Sequence, residues 1–337
     1  MKMCINGLVV MAWLVSVAAA RVVVLPDLIH PDSMAVDESR IYITEDIAVL
    51  IYDRASLELQ VKIGKEGEGP QEFLRNRQSG MPPLTIALYP DRLLVNSLNK
   101  ISFFTKEGRF LEERKVVDRG DRFQPLGNGF AGEGDRRDEK VRRVAVNIYD
   151  ARLNRVTEVF SFPHPFQGVG SGFRVLDNPR AFVTCADRLF VAMDEALVVR
   201  VFDEAGRSLR VVEKDYRRRD LTGADREWID TYFRTDPRMK DLYPLIKPIH
   251  YPETFPAIRQ MLRTDDEIYI LTWKREGALT ECFVMGVEDL DMRRIMLPIV
   301  YVDLLDIYPA AIDHGTLYQL VENDDEAWEL HVTVLET

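Results

Sequence analysis

The sequence predicts an all-β protein and, within that class, a six-bladed β-propeller. Three observations predict this fold. A turn followed by a short apolar strand recurs along the chain, further strands with alternating apolar and polar residues follow each copy, and the last copy lacks an outer strand that the N-terminal region can supply. An open sandwich of similar strands is the structural alternative.

The recurring strand defines the repeat. Each copy follows a turn rich in Asp or Gly, which is a typical strand boundary. The five clear copies are RIYITE at 40–45, RLLVNS at 92–97, RLFVAM at 188–193, EIYILT at 267–272 and TLYQLV at 316–321, and a degenerate copy is GNGFAGEG at 127–134. Six copies predict six blades.

Each copy is followed by a second strand, and most copies by a third. Clear third strands are LQVKIG at 59–64, FLEERKVV at 110–117, RVTEVFSF at 155–162 and SLRVVEKD at 208–215. The apolar stretch before each turn adds one more strand. Four strands per copy is the composition of a propeller blade.

The last copy ends at the C-terminus without a fourth strand. The segment RVVVL at 21–25 has the pattern of a strand but no neighbour of its own. Pairing this segment with the last blade would close the ring and remove two exposed sheet edges. We therefore predict that the N-terminal strand completes the sixth blade.

Residues 217–256 interrupt the repeat between the fourth and fifth blades. Thr222 and Asp225 have the spacing of a capping box, which predicts a helix over 222–235. The apolar face of this helix would consist of Trp228, Ile229, Tyr232 and Phe233. The prolines at 237, 244, 248, 252 and 256 predict an extended crossing after it.

The N-terminus predicts export. Residues 1–20 contain Lys2, an apolar run from Ile5 to Val17 and three alanines, the layout of a signal peptide cleaved after Ala20. The run is too short for a transmembrane helix, so we expect a periplasmic or extracellular domain of residues 21–337 without stable membrane insertion. A net charge of −11 argues against a nucleic-acid partner.

Only two cysteines remain after residue 20. Cys185 and Cys282 are too few for a disulfide scaffold, so the core must provide the stability. Cys282 lies in an apolar strand pattern that fits a buried thiol. Export would permit a disulfide between them, and the sequence alone leaves open whether they pair or stay free.

The segment IGKEGEGPQEF at 63–73 resembles a glycine-rich segment, Gly-x-x-Gly-x-Gly-Pro-x-Glu-Phe, of exported bacterial six-bladed β-propellers that are similar to NHL-repeat propellers. Gln71 stands where a glycine is common in that group. The resemblance implies the fold and a location in the bacterial envelope or outside the cell, and it supplies no catalytic residue. Phe73 is expected to pack between blades in a tight turn.

Loops before the innermost strands bring polar residues to one mouth of the central channel. The candidate ligand-binding residues there are His30, Asp32, Arg77, Arg122, Arg180, His250, Tyr251, Arg259 and Asp306. Four converging arginines would suit a carboxylate, a phosphate or a sulfated sugar. Salt bridges with neighbouring acidic residues are the alternative role for these arginines.

The sequence contains no recognised catalytic or zinc-binding motif. This absence favours a non-catalytic scaffold that needs no cofactor. The scaffold would bind a protein or a small anionic or carbohydrate ligand. A second hypothesis is an enzyme resembling lactonase or lyase propellers, in which Asp32, Asp306, Glu253 and Asn178 hold a divalent metal such as calcium. A structural envelope subunit is a third possibility.

Overall fold

A computed structural model describes residues 21–75, 83–116, 120–138, 141–176, 182–193, 196–237 and 239–335. These residues form six four-stranded antiparallel sheets, each made of the strands of one predicted repeat. The prediction of a six-bladed β-propeller is confirmed. The six innermost strands contact one another in chain order, and the last contacts the first, so they surround a central channel.

The first half of the ring contains blades 1 to 3, and the strands of each blade follow one another from the channel outward. Strand β1 (Arg21–Val24) precedes the blades. Blade 1 contains β2 (Pro31–Val36), β3 (Arg40–Glu45), β4 (Ala48–Asp53) and β5 (Leu59–Ile63). The short parallel strands β6 (Lys65–Glu66) and β7 (Glu72–Phe73) follow it. Blade 2 contains β8 (Leu84–Leu88), β9 (Arg92–Ser97), β10 (Lys100–Thr105) and β11 (Phe110–Lys115). Blade 3 contains β12 (Gly120–Leu126), β13 (Gly129–Asp138), β14 (Val141–Tyr149) and β15 (Arg155–Pro163).

The second half of the ring carries the helices. After β16 (Phe173–Arg174), blade 4 contains β17 (Phe182–Cys185), β18 (Arg188–Met193), β19 (Leu197–Phe202) and β20 (Ser208–Lys214). Helices α1 (Gly223–Thr235) and α2 (Tyr243–Ile246) and strand β21 (Ile249–His250) come next. Blade 5 contains β22 (Gln260–Arg263), β23 (Glu267–Glu276), β24 (Leu279–Gly286) and β25 (Met292–Leu297). Blade 6 contains β26 (Ala310–Asp313), β27 (Thr316–Glu322) and β28 (Trp328–Val334).

Strand β1 completes blade 6, as predicted. It pairs antiparallel with β28 from Arg21 opposite Val332 to Val24 opposite Glu329. Leu25, which follows β1, is 2% exposed and packs between blades 6 and 1. The two ends of the chain therefore close the ring by main-chain hydrogen bonds and by burial of apolar surface.

The hydrophobic core is divided among the blade interfaces. Six clusters of buried residues each join two neighbouring blades, including the pair formed by blades 6 and 1. Phe73 is fully buried in the cluster between blades 1 and 2, as expected from the glycine-rich segment. In that segment Gln71 has φ +63°, a left-handed conformation that glycine adopts at lower cost.

Amide side chains also link the blades near the channel. Asn96 of β9 donates to the carbonyl oxygen of Phe123 at 3.1 Å and accepts from the amide of Phe123 at 2.8 Å. Gln124 of β12 makes the same type of paired contact with β17, donating to Phe182 and accepting from Thr184. The buried Asn96 and half-buried Gln124 amides are satisfied by backbone groups and therefore fix the register between blades.

The insertion packs on the face of the ring where the six inner strands begin, which we call the entry face. Helix α1 has the predicted capping box, in which the amide of Asp225 donates to the Thr222 hydroxyl at 3.2 Å and the amide of Thr222 donates to the Asp225 carboxylate at 2.9 Å. Ile229 and Phe233 are buried, whereas Trp228 remains 37% exposed. The predicted apolar face is therefore only partly covered.

The segment after α1 differs from the predicted extended crossing. Residues 243–246 form the short helix α2, with Pro244 in its first turn. Proline is tolerated there because the first helical amides have no partner within the helix. Among the residues that the structure describes, no helix is long and apolar enough to cross a membrane.

Both Cys185 and Cys282 are buried, and neither forms a disulfide. The Cys185 thiol donates to the carbonyl oxygens of Thr264 and Asp265 at 3.3 and 3.1 Å, respectively. Burial raises the pKa of both thiols above the ordinary value. They are therefore structural core groups rather than reactive thiolates.

Candidate functional site

The central channel contains a cavity of about 310 Å³. Its lining comes from the inner strands of blades 1, 2, 3 and 5 and from the residues that lead into blade 6. Polar residues such as Asp32, Thr85 and Arg122 alternate with apolar ones such as Met34 and Phe123. About half of the lining residues are polar or charged, and a cavity of this size can hold a small polar ligand.

Asp32 lies in blade 1 at the start of β2. Its carboxylate accepts a hydrogen bond from the amide of Asp46 at 3.0 Å. Burial, helped by the nearby carboxylates of Asp46 and Glu45, raises the pKa of Asp32 to about 6, against the lowering effect of that amide. The carboxyl group therefore titrates close to neutral pH and can both donate and accept a proton in hydrogen bonds.

Arg122 lies at an irregularity of β12, where the pairing with β13 shifts between Asp121 and Gln124. It has φ +53°, a conformation that directs the side chain away from the regular strand pattern. Its Nη1 atom donates to Glu133 at 2.9 Å, and the side chain is 41% exposed, against 10% for that of Glu133. The glutamate therefore anchors the guanidinium at one nitrogen while the side chain lines the cavity.

Thr85 of β8 also lines the cavity. Its hydroxyl oxygen is shielded from solvent and has no hydrogen-bond partner among the described residues. An unpaired buried hydroxyl costs free energy, so a bound water or ligand group at this point would stabilise the site.

His30 precedes Asp32 and is exposed. The amides of Ile29 and His30 donate to one oxygen of the buried Glu45 carboxylate at 2.5 and 2.7 Å. Glu45 therefore holds the loop that leads into blade 1. The positive potential of His30 lowers the pKa of Asp32, although less than burial raises it.

His250 and Tyr251 belong to the insertion. His250 lies in β21, which pairs in parallel with β16, and its ring contacts the carbonyl oxygen of Ser171 at 3.4 Å. The Tyr251 hydroxyl donates to the carbonyl oxygen of Arg226 in α1 at 3.3 Å. The contacts of these two side chains therefore hold the insertion together.

Arg259 and Asp306 lie where blade 5 and blade 6 meet. The Arg259 guanidinium lies over the rings of Trp273 and Tyr301, with its central carbon 4.4 and 4.2 Å from the two ring centres. The amide of Asp306 donates to the carboxylate of Asp303 at 2.8 Å. The other two candidates, Arg77 and Arg180, lie outside the described residues.

The sequence pattern did not indicate Thr85, Trp273 or Tyr301. Thr85 occupies an ordinary position of an alternating strand, so no pattern distinguishes it. Trp273 and Tyr301 come from different segments, and only their common contact with Arg259 brings them together. Contacts between distant segments leave no local signal in a single sequence.

Three of the four residues suggested for a divalent metal are among those that the structure describes: Asp32, Asp306 and Glu253. Within the described ranges, no set of three or more His, Cys, Asp or Glu side chains is arranged to hold a metal ion. The carbonyl oxygen of Glu253 accepts a hydrogen bond from Leu221 in the insertion at 2.9 Å. Asn178 lies outside the described residues.

Comparison with known proteins extends the fold assignment. No family model and no curated protein sequence matches the chain. Among solved structures, a "putative exported protein" from Bacteroides fragilis has a TM-score of 0.55 at 9% identity and covers 94% of this chain and 96% of its own. The likeness shows a shared fold along nearly the entire chain.

Two further structures have lower scores. A β-propeller domain from Myceliophteria thermophila has a TM-score of 0.44 at 8% identity, covering 95% of this chain and 99% of its own. BamB from Moraxella catarrhalis has a TM-score of 0.35 at 9% identity, covering 90% of this chain and 71% of its own. At these scores neither structure bears on the function of this chain.

Proposed function

We propose that this protein is an exported, non-catalytic β-propeller that binds a small sugar acid in the cavity of its central channel. Two chemically different groups support the proposal. Arg122 offers donors for a carboxylate, and Asp32 offers a carboxyl group for sugar hydroxyls. The unpaired Thr85 hydroxyl in the same cavity adds a third polar contact. It is the main observation in support of the proposal.

The size and lining of the cavity fit this ligand class. About 310 Å³ is at the lower end of the range for small-ligand sites and is suited to one or two sugar rings. The apolar side chains of Met34, Phe123 and Leu262 provide surface for the carbon faces of a sugar. The ring of packed blades would hold these groups in place before the ligand arrives, which reduces the entropic cost of binding.

Export is part of this proposal and is supported by the signal-peptide pattern of residues 1–20. The periplasm or the cell exterior is where the protein would meet sugar acids. We also include in the proposal the relationship to NHL-type propellers, which rests on the glycine-rich segment at 63–73. Metal analysis with and without a chelator distinguishes this binding protein from a metal-dependent enzyme with the same fold.

The proposal is tested by thermal shift and titration calorimetry with glucuronate, galacturonate, gluconate and glucose. We expect one of the acids to bind and glucose to bind more weakly. Arg122→Gln should weaken binding of the acid by about tenfold or more, because a hydrogen bond to a charged group is lost. Arg155→Gln, an exposed change on the outer strand of blade 3, is the matched control and should leave binding unchanged.

Two results would contradict the proposal. One is that none of the three acids shifts the melting temperature or gives heat of binding. The other is binding that is equally strong in the wild type and in Arg122→Gln, which would place the ligand elsewhere on the protein.

A further inference from the structure

A second group of side chains on the entry face forms a continuous stack of cations and aromatic rings. Neighbouring members lie between 4.2 and 4.7 Å apart, measured between ring centres or from the central guanidinium carbon to a ring centre. The order of the stack is Arg219, Phe255, Trp273, Arg259, Tyr301 and Arg275. It joins the insertion, blade 5 and the connection to blade 6.

The middle of this stack contains two unused hydrogen-bond donors on side chains that contact each other. The Nη2 atom of Arg259 and the Nε1 atom of Trp273 are both shielded from solvent and have no acceptor among the described residues. The guanidinium carbon of Arg259 lies 4.4 Å from the Trp273 ring centre, so the two donors belong to one small region. Buried donors normally have acceptors, and two adjacent exceptions require an explanation.

The charge of Arg259 also indicates that a binding partner is missing. No carboxylate of the described residues lies within ion-pairing distance of it, whereas Arg219, in the same stack, is paired with Asp225 at 2.7 Å. Burial lowers the pKa of Arg259 to about 10, so the group is still charged at neutral pH. A buried cation without a paired anion is unfavourable, and an anion would stabilise it.

We propose that Arg259 and Trp273 form a binding site for a single carboxylate, separate from the channel cavity. The carboxylate accepts one hydrogen bond from Nη2 of Arg259 and one from Nε1 of Trp273. Two neighbouring donors can each serve one of the two oxygen atoms of a carboxylate. The stack of rings above and below Arg259 fixes the direction of its donors.

Local charge limits the ligand to a single negative charge. The carboxylates of Asp303 and Asp306 are close enough to stabilise the charged form of Arg259. They would repel a sulfate or phosphate dianion more strongly than a carboxylate. Arg275 lies on the other side of the Tyr301 ring and is exposed, so it attracts anions to this part of the surface.

The site is near the surface. Arg259 is only partly buried as a residue, although its Nη2 atom is shielded. Tyr301 is also partly exposed, and its hydroxyl accepts a hydrogen bond from the Thr280 hydroxyl at 3.0 Å. A small shift of the connection to blade 6 therefore gives a carboxylate access without unfolding the blade.

Acetate is the probe for the test. We expect acetate to raise the melting temperature of the purified protein saturably, by about 2 °C or more over chloride at matched ionic strength and pH. Acetate should also change the tryptophan fluorescence, because Trp273 is a direct contact. Sulfate at the same ionic strength should not reproduce the saturable effect.

Variants locate the effect. Trp273→Phe keeps an aromatic ring but removes the indole donor. Arg259→Lys keeps the charge but removes the guanidinium donors. Both variants should abolish the saturable rise in melting temperature with acetate. Arg155→Gln, an exposed change on the outer strand of blade 3, is the matched control and should keep the saturable acetate response. Equal stability in acetate and chloride, or a full acetate response in Trp273→Phe, would overturn the proposal and indicate a bound water at the two donors.

Discussion

The ring of blades and the entry face differ in how their polar and apolar groups are used. In the ring, each blade interface has its own hydrophobic cluster, and the side-chain amides of Asn96 and Gln124 are paired with backbone groups. On the entry face, Arg259 and Trp273 each have a buried donor without an acceptor among the described residues. The repeated blades supply stability and line the channel cavity, and the entry face adds two buried donors suited to binding an anion.

The largest expected effect concerns closure of the ring. Removing residues 1–24 deletes β1, exposes the edge of β28 and leaves Leu25 without its neighbouring strand. We expect the melting temperature to fall by about 10 °C or more, since the main-chain hydrogen bonds of β1, the packing of the half-buried Val23 and the closure of the ring are lost together. Thermal unfolding followed by circular dichroism measures this change.

The control for closure keeps the strand and changes only its outer surface. Val22→Thr and Val24→Thr alter side chains that are 47% and 48% exposed and should change the melting temperature little. A truncated protein as stable as the full ring would show that β1 does not close it.

A smaller effect is expected where the insertion meets the ring. Phe233→Ala removes a side chain that is 4% exposed and lies edge to face against Phe173, with ring centres 5.7 Å apart. The change should cost about 3–5 kcal/mol of local stability. Hydrogen exchange should show the loss in α1 and β16 while the blades keep their protection.

The matched control for the insertion is Trp228→Ala on the same helix. This residue is 37% exposed, and its substitution should cost less than about 1 kcal/mol. Equal effects of the two substitutions would mean that α1 does not pack on the ring through Phe233.

The pH dependence of stability tests the environment of Asp32. The pKa of Asp32 is about 6 in the folded protein, above the ordinary value of 3.8. At a pH between these two values, Asp32 therefore keeps its proton in the folded protein and has lost it in the unfolded chain. Stability therefore falls as the pH rises from about 4 to about 6, and Asp32→Asn avoids this loss. Urea unfolding should show the variant more stable by about 1 kcal/mol at pH 7, since partial exposure screens the charge, and equally stable at pH 4.

A result of the opposite sign would contradict this description of the cavity. If Asp32→Asn is less stable than the wild type at pH 7, the carboxylate is stabilised by a cation and the site is not a desolvated one. Unfolding curves of the wild type and Asp32→Asn at both pH values isolate the contribution of Asp32 to stability, because the other titrating groups are common to the two proteins.

The smallest expected effect lies in the glycine-rich segment at 63–73. Gln71→Gly relieves the left-handed conformation at φ +63° and should stabilise the protein by about 0.5–1 kcal/mol. Lys62→Gly, in strand β5, is the control and should destabilise it. Destabilisation by Gln71→Gly would show that the side chain contributes more than its backbone strain costs.

The sequence predicted the ring well because each blade is specified locally. Alternating residues and turn signals mark every recurring strand, and the unpaired RVVVL segment indicates how the ring closes. The capping box of α1 was likewise visible, through the spacing of Thr222 and Asp225. The short helix α2 was missed because its prolines suggested an extended chain, although Pro244 lies in a first turn that tolerates it.

The candidate site was less predictable. Asp32 and Arg122 were selected by their place before or within inner strands, and both line the cavity. His250 and Tyr251 have similar positions in the sequence, but their side chains contact the insertion. Which loop residues reach the cavity depends on how the insertion folds over the entry face, and those long-range contacts are not encoded in any local pattern.

The central claim is that the channel cavity is a binding site, and the most direct test is a crystal structure of the protein soaked with glucuronate. We predict electron density for the ligand beside Arg122 and Asp32, with a hydrogen bond to the Thr85 hydroxyl. Only water in the cavity at a saturating concentration of glucuronate, or glucuronate bound on the outer strands, would contradict the claim.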